Sequence, residues 1–160
     1  MRRAARTLGW AAAILLACAL PTPSVAANFV PIQGAWTFTH PAPAPESATS
    51  LLVQGTFQGS SNLGPFTGQG TFHFDFTTGA YTGDIRWDFA WGSLTGTATG
   101  QDYPVPNFQG YLTTIRFTFA GGTGRFQGAS GQATAGGIDN FNPTGTSRVD
   151  ALFSGILSTR

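Results

Sequence analysis

Lysine is absent from this 160-residue chain, and charged residues make up 9% of it, against roughly 25% in ordinary globular proteins. Beyond residue 27 the only bases are Arg86, Arg116, Arg125, Arg148 and Arg160, set against seven acids, for a net charge of −2. With no basic stripe to neutralise phosphates, nucleic-acid binding and electrostatic docking on anionic membranes are not expected. The single cysteine, Cys18, falls in the N-terminal segment, so the domain after it has neither a disulfide framework nor thiol chemistry. His40 and His73 are distant in sequence, and no histidine pair, cysteine cluster or calcium-loop spacing occurs. No metal and no cofactor is therefore implied. A Gly-x-Ser-x-Gly strand-to-helix elbow, the usual signal for nucleophilic hydrolysis, is also missing. After the first 27 residues no apolar run is long enough to predict a transmembrane helix.

Those first residues have the pattern of a signal peptide. Arg2, Arg3 and Arg6 form a positive start, Trp10 to Leu20 an apolar stretch, and Ser24-Val-Ala-Ala27 a small-residue cleavage site before Asn28. The expectation is a leader over 1–27 and a single domain over 28–160, secreted or periplasmic. An alternative is a lipobox at Leu15-Leu-Ala-Cys18, which would anchor the domain through a lipidated Cys18. About 130 residues remain after the leader, enough for one core and too few for two.

What the chain has in abundance is glycine, 22 residues, and aromatics, 13%. Both occur in alternating segments that predict strands at Gly34 to Thr39, Gln54 to Gln58, Thr67 to Phe76, Ala80 to Trp91, Leu94 to Thr99, Gln109 to Phe119, Arg125 to Ala133 and Arg148 to Leu157. Glycine or proline punctuates each boundary, and Pro41-Ala-Pro-Ala-Pro45 marks an exposed connector. Eight consecutive antiparallel strands favour a closed barrel over a sandwich, because closure removes both edges.

If Thr78-Gly79 forms a two-residue turn, Phe74 faces Gly83, Phe72 faces Ile85 and His73 faces Asp84. A following turn at Gly92-Ser93 would set Trp87 against Ala98 and Phe89 against Gly96. This parity gathers Phe72, Phe74, Trp87, Phe89 and Trp91 on one face and puts Arg86 and Asp88 on the other. Large rings opposite small residues either fill a narrow barrel or leave a cleft beside the rings.

The turn Gly121-Gly-Thr-Gly-Arg-Phe126, followed by Gly128-Ala-Ser-Gly131 on this eight-strand pattern, resembles the allene oxide cyclase and dirigent barrel superfamily, particularly its exported bacterial members. The resemblance implies an eight-stranded antiparallel barrel with an apolar cavity, often trimeric. Some such barrels cyclise unsaturated fatty-acid epoxides, some steer the coupling of phenolic radicals, and others cyclise natural products. The turn motif itself is structural and transfers no catalytic residue.

The aromatics Phe72, Phe74, Trp87, Phe89, Trp91, Phe117 and Phe119 are thus candidates to line a ligand cavity, or else to fill a core. Asp88, Arg86 and Arg116 are candidate catalytic groups only if their face is enclosed; otherwise they form ion pairs on the outside. His73 beside Asp84 is either an acid/base pair or a surface cross-strand pair. Arg125 in the glycine turn is either an anion-nest residue or a solvated cation. The sequence points to a barrel that binds a small apolar or aromatic molecule. Its alternatives are a cyclase or isomerase acting on an unsaturated lipid or polyketide-like substrate, and a structural envelope or assembly protein.

Overall fold

The computed structural model describes residues 27–108, 110–142 and 144–159. The proposed leader and the Cys18 lipidation site lie outside them, apart from Ala27. The described chain is almost entirely β: β1 Asn28–His40, β2 Ala44–Pro45, β3 Ser50–Ser61, β4 Gly64–Asp75, β5 Ala80–Phe89, β6 Gly92–Pro104, β7 Tyr111–Gly122, β8 Ser130–Asn140 and β9 Ser147–Thr159. A 3₁₀ turn, Gly124–Phe126, precedes β8. None of the helices among the described residues is long and apolar enough to cross a membrane.

Each long strand pairs antiparallel with the next, and β1 pairs with both β3 and β9. The eight long strands therefore close into an up-and-down barrel, as expected, and no long strand keeps a free edge. The two-residue β2 pairs with Leu51 and Leu52 on the same edge of β3 that β1 occupies further along.

Alternation sorts the side chains. Ile85, Trp87 and Phe89 of β5 are buried, while Arg86 is exposed. On β7, Thr113, Ile115, Phe117 and Phe119 point inward and Thr114, Arg116 and Thr118 outward. The buried set forms one continuous core.

Two predicted registers are displaced, both by an even number of residues. Asp75 pairs with Ala80, which sets Phe74 opposite Tyr81, Phe72 opposite Gly83 and His73 opposite Thr82. The Asp75 side chain causes this. Its Oδ1 accepts from the backbone N–H of Thr77 at 2.8 Å and of Thr78 at 3.2 Å, and Gly79 supplies the positive φ of 75° that a four-residue turn requires. The β5–β6 hairpin turns at Ala90-Trp91, so Trp87 faces Leu94 and Phe89 faces Gly92. Even displacements preserve the faces, so the division of rings inward and charges outward survives.

The seventh predicted strand begins later than expected, at Ser130. Residues 124–126 instead fold back on the β5–β6 hairpin, with the Arg125 N–H donating to the Trp91 carbonyl at 3.0 Å. This turns Phe126 inward, 5.1 Å from the Phe89 ring, and closes that end of the barrel.

Candidate functional site

The barrel is filled at one end and hollow at the other. In the filled half, Trp87 is wholly buried among Phe66 at 4.7 Å, Phe117 and Phe153 at 5.1 Å and Phe119 at 5.3 Å between ring centroids. Such ring pairs each add about 0.5–1.5 kcal/mol beyond the area they bury. In the open half lies a cavity of about 630 Å³. Its walls are Trp36, Phe38 and His40 from β1, Val53 and Phe57 from β3, Phe72 and Phe74 from β4, Tyr81 from β5, and Val149 from β9. Pro43 of the proline connector, Phe76 of the β4–β5 turn and Tyr111 also border it.

The polar groups of this cavity come from strand ends. Asp102 lies opposite Thr113, and Asp139 opposite Tyr111, so the two carboxyls sit on β6 and β8 with β7 between them. Both residues are buried, and each has an Oδ1 without a hydrogen-bond partner. Burial pushes the Asp102 carboxyl up to about 6, with the nearby Thr113 hydroxyl working against the rise. Burial, and then the negative charge of Asp102, carries Asp139 to about 7. Asp139 can therefore both hold and release a proton near neutral pH.

Tyr81 Oη lies 2.6 Å from Thr113 Oγ1. Burial raises the phenol far above its ordinary range and keeps it neutral. His40 sits 2.8 Å, through Nδ1, from the Pro41 carbonyl oxygen. Its burial lowers the imidazole below its usual range despite that bond, favouring the neutral ring with the proton on Nδ1. The cavity thus combines an apolar, aromatic wall with two titratable acids and no positively charged side chain among its described residues.

Of the aromatics expected to line a ligand site, Phe72 and Phe74 border the cavity. Trp87, Phe89, Phe117 and Phe119 are packed in or beside the filled half, with Phe117 reaching between Trp36 and Trp87. Trp91 is outside the core, 41% exposed in a turn, with the Arg125 guanidinium 5.7 Å over its ring. Arg86, Asp88 and Arg116 point away from the interior, and Arg86 pairs with Asp88 on the surface at 2.8 Å. His73 pairs with Glu46 at 2.8 Å rather than with Asp84.

The residues that sequence reasoning passed over are Trp36, His40, Tyr81, Asp102, Thr113 and Asp139. A parity signal was present for both acids: the inward column Leu94, Ala98 continues to Asp102, and Ala133, Ala135 continues to Asp139. Ending the predicted strands at Thr99 and Ala133 cut both columns short.

No protein-family model and no curated protein sequence matches the chain. Among solved structures, a pterocarpan synthase dirigent protein superposes with a TM-score of 0.57 at 12% identity, over 87% of this chain and 89% of that one. A second pterocarpan synthase dirigent protein gives 0.51 at 12% identity, over 83% and 96% of the two chains. At such identities the likeness is one of fold, and it agrees with the closed strand order found here: the chain carries the dirigent-like eight-stranded barrel.

Proposed function

We propose that the open half of the barrel binds a small, mainly apolar or aromatic molecule. The carrying observation is the unequal filling of one continuous interior, packed rings on one side and about 630 Å³ of aromatic-walled space on the other. That volume lies within the range of about 300–1,000 Å³ common for small-molecule sites. Burying an aromatic body against Phe38, Phe72 and Phe74 supplies the affinity, and the carboxyls of Asp102 and Asp139 supply orientation. The test is a fluorescence titration with fatty acids, phenolics, aromatic amines and polyketide-like compounds. If none perturbs the emission and none shifts the melting temperature, the ligand reading is lost.

Catalysis is the second reading, favoured by the raised carboxyls and by the synthase names of the similar barrels. In a cyclase or isomerase, the cavity would hold a flexible unsaturated substrate folded. Protonated Asp139 would donate to a leaving or carbonyl oxygen, and the Asp102 carboxylate would stabilise positive charge developing nearby. Asp139→Asn should then abolish turnover while an uncharged substrate analogue still binds.

The outer wall supports self-association. Leu152 is 70% exposed and Ile156 56%, with Ile138 and Leu112 exposed on the adjoining strands β8 and β7. A second copy of this chain is the partner proposed for this apolar face, which the Arg148–Asp150 ion pair borders. Export to the periplasm or the medium rests on the leader pattern at 1–27, and mass spectrometry of the mature N-terminus would distinguish cleavage before Asn28 from lipidation at Cys18.

A further inference from the structure

Building on the reading of the cavity as a ligand site, we propose that its ligand carries a positive charge: an ammonium group on an aromatic or apolar body, received between Asp102 and Asp139. Both acids are more than nine-tenths buried, at 8% and 7% exposure, and both border the cavity. The Oδ1 atom of each lacks a partner in the protein and is shielded as it stands, so a ligand meets it when the carboxyl turns toward the cavity. A buried acceptor left unmatched is costly unless something from outside completes it.

The Thr113 hydroxyl lies beside Asp102, but no cationic side chain among the described lining residues meets either carboxyl. Around the cavity, β1 contributes the neutral His40 and Trp36, whose indole N–H is also without a partner; the β4–β5 turn contributes Thr77 and Thr78, β5 Tyr81 hydrogen-bonded to Thr113, and β7 Tyr111 and Thr113, all of them uncharged. From β3, β4 and β9 come only apolar side chains, and among the described lining residues there is no arginine or lysine. A ligand carboxylate would add a third negative charge with no cation to meet it. An ammonium supplies the missing donors and the missing charge together. Phe38, Phe72 and Phe74 line the same cavity, and aromatic rings attract a cation as they do not a neutral ligand.

Binding should also move protons. The carboxyls are held partly protonated at neutral pH by burial, and a cation beside them favours ionisation, so association at pH 7 releases protons to the buffer.

Calorimetric titration of the folded domain with three naphthalene probes of similar size tests the proposal: 1-naphthylmethylammonium, 1-naphthalenemethanol and 1-naphthoate, at pH 8 and low salt. The ammonium should bind roughly tenfold or more tightly than the alcohol, and the carboxylate most weakly. Asp102→Asn and Asp139→Asn should each reduce the preference for ammonium over alcohol several-fold, with alcohol affinity little changed. At pH 7, ammonium heats in phosphate and in Tris should differ in the sense of proton release. Equal binding of alcohol and ammonium, or tightest binding of naphthoate, would overturn the cationic-ligand inference and leave the cavity reading standing. Failure of all three probes to bind would remove both.

Discussion

The Tyr81 hydroxyl meets the Thr113 hydroxyl at 2.6 Å, joining β5 to β7 across the intervening β6. Gly100 makes the reach possible: it lies directly opposite Tyr81 on β6, and a Cβ there would overlap the phenol ring. Replacing a strand glycine by alanine normally gains a few tenths to about 1 kcal/mol through backbone entropy. Here Gly100→Ala should instead cost about 1–3 kcal/mol, because the ring must leave its place. Tyr81→Phe keeps the ring and loses only the hydroxyl contact, for about 1 kcal/mol. Urea unfolding of the two variants would check the ranking; a stabilised Gly100→Ala would contradict it.

The tryptophans separate the two halves of the barrel. Trp36 borders the cavity, whereas Trp87 is enclosed by other rings. A ligand-induced fluorescence change should vanish in Trp36→Phe and persist in Trp87→Phe. Trp87→Ala should cost about 3–5 kcal/mol, since the surrounding rings cannot collapse fully into the space. If Trp87→Phe alone removed the response, the ligand would have to enter the filled half.

Stability should fall as pH rises through the range in which the buried acids ionise. Asp102 and Asp139 are raised to about 6 and about 7, so between pH 4 and 7 the folded barrel binds more protons than the unfolded chain. Their contribution is therefore complete at low pH and lost toward pH 8, a few kcal/mol across the coupled pair. His40, lowered by burial, acts in the opposite sense up to its ordinary range. Asp139→Asn isolates the acid: it should match the natural chain near pH 3, below the unfolded range of the carboxyl, and melt at a higher temperature at pH 8. A flat difference between the two pH values would show that Asp139 titrates normally.

The exposed apolar face gives a prediction about assembly. Leu152 and Ile156 lie on the same outer face of β9, so Leu152→Glu with Ile156→Glu should shift sedimentation toward the monomer with little change in melting of the barrel itself. A natural chain that sediments as a monomer at high concentration would dispose of the self-association proposal.

Alternation and glycine punctuation determined the strand count, the antiparallel closure and the inward direction of Phe72, Phe74, Trp87 and Phe89, because side chains on a strand must take opposite faces in turn. Register escaped this reasoning: Asp75 accepts hydrogen bonds inside the β4–β5 turn, and a displacement by two residues leaves the hydrophobic pattern unchanged. The site escaped it more fully. Asp102 and Asp139 stand at strand ends 37 positions apart, and only the curvature of a closed sheet makes them walls of one space. Whether that space is solid or hollow depends on ring volumes summed from all eight long strands, together with Phe126 folded over one end. Those are quantities of the assembled barrel, and no local stretch of sequence carries them.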